Sequence, residues 1–348
     1  MPQGRFGGKP PMGVIYNTSM TRPDAALALA ELYGFEEKRE SRMGSVCVVG
    51  AGLNTAIFCD MIGRTYMLGP ERNGNQVLAV GLADVKPLPP DSSMVRPAVE
   101  RKNEKGEPLY THSIEKLTDT SLAETVLLNG VIFNADAAVL LSAPATCLAR
   151  SLDLNNAREV YKERVKRLVI VDAGTPQKDV PALRKVLAEW PAPIFYCPKA
   201  VGDAVPFPGA ALDKTFEWTP NHPVVDAYRA AGTMPYNAPS YDLAAAHYAV
   251  HPDSGFFQLS EPGTLTVSDD GKLAFKPGGG QIRSLQVDPA KKDQFLLAML
   301  DIAGTKPAEP QRRGPRTSAN AGQAGDSKPP FAKPPEPAAP ATAVKKDQ

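Results

Sequence analysis

The sequence predicts an α/β fold with a central, mostly parallel sheet and helices on both faces. Two observations carry this. Short aliphatic and β-branched runs recur at 14–16, 45–49, 137–141, 168–171 and 194–196. Each gives way to a loop of small or polar residues and then to a stretch long enough for a helix, the alternation that covers a parallel sheet on both sides. The chain has 348 residues, 43% of them apolar and 22% charged. That exceeds the usual single domain, although large α/β folds run past about 250 residues as one unit.

Taken in order, Val14-Ile15-Tyr16-Asn17-Thr18-Ser19-Met20-Thr21-Arg22-Pro23-Asp24 reads as strand, polar loop and helix start. Pro23 suits a first helical turn, where a missing N–H costs nothing. Residues 24–35 are expected to form an amphipathic helix that Gly34 terminates, and 36–42 a charged surface turn. After the strand 45–49, Gly50-Ala51-Gly52-Leu53-Asn54-Thr55 leads into a helix through Ile62. A Gly-x-Gly after a strand also opens dinucleotide sites. Here the third glycine is missing and no acidic residue ends a following strand at the expected distance, so the glycines read as a tight turn. Residues 67–110 are irregular and rich in Pro, Gly and charge, the pattern of a mobile insertion near a site.

The alternation then resumes. A helix is expected at 118–129, a strand at 137–141, a loop at 142–146 and a helix opening at Cys147. A charged helix at 158–167, the strand 168–171, a helix at 180–189 and a strand at 194–196 follow. The last third is mostly helical, at 224–231, 241–250 and 291–303, with a hairpin over 263–275 turned at Asp270-Gly271. Residues 305–348 are Pro-, Ala- and Lys-rich and hold eight Lys or Arg against four Asp or Glu. So few large apolar residues do not offset ordering entropy, and a disordered C-terminal tail is expected. The organisation is a flexible segment 1–12, a domain 13–304 and the tail 305–348.

The formal net charge is +1, which gives no reason to expect nucleic acid or an anionic membrane as partner. No apolar run reaches the roughly 18 residues of a membrane span. Residues 1–13 carry no apolar core of a signal peptide, so a cytoplasmic location is the default expectation. Cys47, Cys59, Cys147 and Cys197 are widely spaced and read as buried thiols. His247 and His251 stand one helical turn apart, a zinc-compatible spacing, but no Glu-x-x pattern accompanies them and Pro252 ends the helix. Neither a nucleophile elbow nor a phosphate-binding loop is present.

The first loop resembles the Asp-x-Asp-x-Gly-x-Asp-Asp signature of the inosine–uridine-preferring nucleoside hydrolase family. Asn17 and Ser19 stand for the first two aspartates, Thr21 for the glycine, Asp24 for the third aspartate and Ala25 for the fourth. Ala143-Pro144-Ala145-Thr146-Cys147-Leu148 resembles the family's Gly-Pro-Leu-Thr-Asn-Leu loop, and Pro239-Ser240-Tyr241-Asp242-Leu243 its late metal-binding segment. The resemblance implies a nucleoside-hydrolase-like fold, cleavage of N-ribosyl bonds and a calcium cofactor. It implies metal ligation by Asp242 and the Thr146 carbonyl, and ribose or substrate contact by Asn17, Asp24, Asn54 and Tyr241. Tyr241 stands where the family often has a histidine. Ser19 falls at the position of the water-activating base, which a hydroxyl cannot serve near neutral pH. Calcium takes six to eight hard oxygens, with carboxylates supplying charge, so its binding is expected to be weak or absent and hydrolysis lost or altered. The alternative is a non-catalytic relative that binds a nucleoside-like ligand or a protein partner; a homo-oligomer is the family's usual state. Asp24 and Asp242 also suit plain helix N-termini, and Thr146 a helix start.

Overall fold

In the computed structural model, which describes residues 11–67, 79–83, 90–172 and 174–308, the first apolar run becomes strand β1 (Met12–Thr18), buried from its second residue onward. In chain order β2 (Ser41–Val48), β3 (Val80–Leu82), β4 (Ser121–Leu122), β5 (Ala137–Ser142), β6 (Val165–Val171) and β7 (Ile194–Cys197) follow. The short β8 (Phe207–Pro208) pairs with β9 (Asn237–Ala238) apart from the main sheet. After these come β10 (Phe257–Leu259), the hairpin β11 (Gly263–Val267) and β12 (Leu273–Pro277), and β13 (Arg283–Val287). The main sheet has nine strands in the order β10-β13-β7-β6-β5-β1-β2-β3-β4. Every neighbouring pair is parallel except β10 against β13.

The helices are α1 (Pro23–Glu37), α2 (Leu53–Met67), α3 (Arg96–Glu100), α4 (Ala123–Ile132), α5 (Thr146–Ser151) and α6 (Ala157–Arg164), then α7 (Val180–Glu189), α8 (Lys199–Ala204), α9 (Leu212–Thr215), α10 (Pro223–Ala231), α11 (Tyr241–Val250) and α12 (Lys292–Ala303). Side chains alternate across the strands. Val14 and Tyr16 of β1 join Val46, Leu140 and Val169 in a core roofed by α1, α2, α10, α11 and α12. Ile15 joins Cys47, Val139 and Ile170 in a second core on the other face, under α4, α5, α6 and α7. Helices cover both faces of a mostly parallel sheet, as the alternation of runs implies.

The differences from expectation are local. Helix α1 is not amphipathic: residues 24–35 are all buried, because α10, α11 and α12 surround it. Nor does Gly34 terminate it; the helix runs on to Glu37. Gly34 is instead where α1 and α12 touch, since a Cβ there would overlap the Ile302 carbonyl. The charged helix expected at 158–167 stops at Arg164, because Val165 is buried and begins β6 opposite Ala137. The segment 118–129 opens as a turn and the edge strand β4 before α4 begins. Within 67–110 the chain forms β3 and α3. Residues 68–78 and 84–89 of that expected insertion, and residues 309–348 of the expected tail, lie outside the described residues. All four cysteines are free and buried. Among the described residues no helix is long and apolar enough to cross a membrane.

Two predictions follow from the packing. Gly34→Ala improves helix propensity by about 1 kcal/mol but forces α12 away; overpacking of this kind costs about 1–3 kcal/mol. Urea denaturation is expected to show net destabilisation. His222 caps α10, its Nδ1 accepting the Val224 N–H at 3.2 Å, and burial against Phe216 and Tyr66 lowers its pKa to about 3. The unfolded chain therefore binds a proton that the folded chain refuses between pH 3 and about 6.5. Stability from this group is full above that window and lost as pH falls through it. His222→Asn keeps a cap acceptor without titrating. The wild type is expected to lose stability relative to that variant by up to about 1.4 kcal/mol per pH unit on acidification from pH 6 towards 4, read from denaturation curves at each pH.

Candidate functional site

The C-terminal ends of β1 and β5 and the N-termini of α1 and α11 meet at one edge of the sheet. Leaving β1, the chain turns sharply at Met20, whose φ of 48° lies in the left-handed region. Its N–H donates to Thr18 Oγ1 at 3.1 Å, and its side chain is fully buried. This turn folds Arg22 back over the strand ends. Arg22 Nε donates to Asp24 Oδ1 at 3.2 Å, and Nη2 donates to Ser142 Oγ at 3.1 Å and to Asp242 Oδ1. Asp242 Oδ1 also accepts from Ser142 Oγ at 2.6 Å, and Oδ2 from the Tyr16 hydroxyl at 2.5 Å. Asp24 Oδ2 accepts the Asp242 backbone N–H at 2.7 Å. All four carboxylate oxygens are thereby engaged. Both acids are buried, at 1% and 0% exposure, while Arg22 keeps 23%.

The charges in this cluster are strongly linked. Burial, and after it the Asp242 charge, pushes the Asp24 carboxyl up to about 7 against the pull of Arg22. Burial and Asp242 likewise raise the Tyr16 hydroxyl well above its ordinary value, so it stays a neutral donor. For Arg22 burial works downward, but Asp242 and Asp24 outweigh it and hold the guanidinium charged.

Counted from Asn17 and Ser19, the closing pair of the signature falls on Pro23 and Asp24, one residue earlier than Asp24 and Ala25. Ala25 is 3% exposed and packs into the core. By that count Asp24 falls at the signature's fourth position, and it faces Asp242 across the Arg22 guanidinium.

The other sequence-derived candidates are placed as follows. Asn17 is fully buried near the end of β1; its Nδ2 donates to the Leu140 carbonyl at 3.3 Å, and Oδ1 has no hydrogen-bond partner among the described residues. Ser19 Oγ shares a hydrogen bond with Thr21 Oγ1 at 3.3 Å. The Tyr241 hydroxyl donates to Asp203 Oδ1 at 2.7 Å, and its ring lies 5.5 Å from Arg22 Cζ and 5.1 Å from Lys199 Nζ. Asn54 sits in the first turn of α2, whose N–H groups at Asn54 and Thr55 donate to Asp91 at 3.3 and 2.9 Å. Thr146 opens α5, its hydroxyl donating to Asp179 Oδ1 at 2.6 Å beside the Ala145 N–H on Oδ2. Asp24, Asp242 and Tyr241 are thus gathered around Arg22, whereas Asn54 and Thr146 serve neighbouring helix starts. His247 and His251 lie at the far end of α11, paired with Glu31 at 2.8 Å and Glu40 at 2.6 Å. There they help line a cleft of about 510 Å³.

Arg22, Tyr16 and Ser142 escaped the sequence reading. Arg22 had a signal, as the one cation in a loop where acids are expected; Tyr16 and Ser142 had none beyond their places near strand ends.

The resident calcium that the resemblance implies can be tested against this donor set. Among the described residues no group of three or more His, Cys, Asp or Glu could hold a metal ion. The carboxylates of Asp24 and Asp242 are already bonded to a guanidinium. A divalent ion about 4 Å from that guanidinium would meet a repulsion of about 8 kcal/mol at an effective dielectric of 20. The residues present do not fit calcium.

Comparison with known proteins places the fold. No protein-family model matches the chain, and no curated protein matches it in sequence. Solved structures do. The purine-preferring ribonucleoside hydrolase from Gardnerella vaginalis is 16% identical, with a TM-score of 0.59 over 84% of this chain and 99% of that one. The inosine-uridine preferring nucleoside hydrolase from Bacillus anthracis is 15% identical, with a TM-score of 0.58 over 83% and 99%. Type III effector protein XopQ, in complex with adenosine diphosphate ribose, is 13% identical, with a TM-score of 0.55 over 86% and 95%. The chain has the nucleoside hydrolase fold.

Removing the Tyr16 hydroxyl leaves a buried carboxylate oxygen short of a donor, which typically costs about 1–3 kcal/mol. Tyr16→Phe is expected to destabilise by that amount in denaturant titration, and by clearly less in an Asp242→Asn background, where the charge is gone.

Proposed function

We propose that this chain binds a nucleoside-like ligand at the C-terminal edge of its sheet, and that hydrolysis of the N-ribosyl bond is lost or altered. The observation that carries this is the Arg22–Asp24–Asp242 cluster, which commits both surviving carboxylates to a guanidinium, with a serine hydroxyl where the base would stand. Hydrolysis of an N-ribosyl bond needs a group that takes a proton from water as the sugar becomes cationic. Ser19, hydrogen-bonded to Thr21, does not supply one at neutral pH. Features suited to binding remain. The Tyr241 ring flanks the cluster, and the unmet Asn17 Oδ1 would be satisfied by a hydroxyl or a water. That XopQ, a protein of this fold, was solved with adenosine diphosphate ribose makes a ribose-bearing ligand a reasonable probe.

A second reading has one observation in its favour. A buried carboxyl raised towards neutrality, as Asp24 is, is what an acid–base residue requires; in that reading hydrolysis is altered and passes through Asp24.

Calorimetric titration with inosine, uridine and adenosine diphosphate ribose, paired with chromatography for released hypoxanthine or uracil, tests both. Saturable binding of at least one ligand without base release is expected. Enzymatic base release that Asp24→Asn abolishes would establish the second reading instead. No binding and no release would remove both.

A further inference from the structure

We propose that Arg22 is a built-in replacement for the metal of this fold: a tethered guanidinium that bridges Asp24 and Asp242, offsets one of their two charges and makes the site independent of divalent cations. Two observations converge on it. Asp242, which the resemblance assigns to a metal, and Asp24, the acid kept in the first-loop signature, are the two carboxylates bridged by Arg22, through Nη2 to the first and Nε to the second. They reach the same spot from opposite ends of the chain, 218 residues apart. Without a cation between them, two buried acids in such contact repel each other, and the pair could then be buried only by taking up a proton. A guanidinium offsets that repulsion with directed N–H donors; a metal does so by accepting lone pairs.

The surroundings suit a guanidinium. Its Nη2 has a third partner in Ser142, which passes a hydrogen bond on to Asp242 Oδ1. The Tyr241 ring, 5.5 Å from Cζ, gives a π face to the planar cation. Among the described residues Nη1 makes no hydrogen bond, so one edge of the fork stays available to a ligand oxygen. The left-handed turn at Met20 brings Arg22 back over the strand ends, and the buried Met20 side chain anchors it.

The inference shares the site of the proposed function but not its test, which uses no nucleoside. Thermal melts of the full chain would be recorded in millimolar calcium chloride and in EDTA, with terbium luminescence excited through the nearby tyrosines as a direct readout of ion binding. The wild type is expected to melt at the same temperature in both buffers and to show no saturable terbium signal. Arg22→Ala is expected to lose roughly 10 °C in EDTA, as breaking a buried ion pair does. Calcium should recover much of that loss, and terbium, displaced by calcium, should bind. Arg22→Lys should remain insensitive to calcium. Arg22→Ala/Asp242→Asn, which sheds one charge of each sign, should fold in EDTA and respond weakly to calcium or not at all. Saturable calcium binding by the wild type would overturn the inference. So would an Arg22→Ala variant that folds normally and ignores calcium. If Arg22→Ala fails to fold in either buffer, the double variant decides: a folded double variant upholds the need for a charge between the acids, and an unfolded one contradicts it.

Discussion

Two buried carboxylates in contact, Asp24 and Asp242, are the constraint around which this sheet edge is arranged. Each begins a helix, and the two helices, α1 and α11, pack side by side over the same core. Bringing the helices together brings the acids together, and their charge has to be met. Arg22 meets it with bonds to both, while Tyr16 and Ser142 supply the remaining donors from β1 and β5. One guanidinium therefore ties two helix starts to two strand ends. Its role resembles that of an ion in a coordination site, with the difference that the cation belongs to the chain and cannot dissociate.

The same edge repeats a second device. Asp91 takes the first N–H groups of α2, and Asp179 takes those at the start of α5. Asp24 does this for α11 by accepting the Asp242 N–H. At each helix start a carboxylate from a distant segment answers the unpaired donors and the positive end of the helix dipole. In parallel α/β sheets these helix starts ring the region where ligands settle. Here Asp91, Asp179 and Asp24 each accept N–H groups at such a helix start.

Much of the architecture was legible in the sequence, since burial on both faces leaves aliphatic runs and the helices between them leave their own period. Residues 180–189 and 241–250 became α7 and α11 with those bounds, and the hairpin turned where Asp270-Gly271 stands. What was hidden depended on distant partners. β4 is only two residues long, and β13 joins the sheet through a two-residue pairing with β7. Gly34 looked like a helix stop because its true reason, close approach by α12, lies far along the chain. The site was half legible. That Asn17 and Ser19 are not acids could be read directly, but the partner of Asp24 is Asp242, and nothing local announces that a guanidinium stands between them. An arginine in a loop looks solvated until its surroundings are known.

A crystal structure of the wild-type protein grown in calcium, with anomalous data collected at a wavelength that reveals the ion, distinguishes a guanidinium from a metal at this site. Continuous side-chain density for Arg22 between Asp24 and Asp242, with no anomalous peak there, is expected. An ion coordinated by those two carboxylates, with Arg22 swung out to solvent, would contradict that expectation.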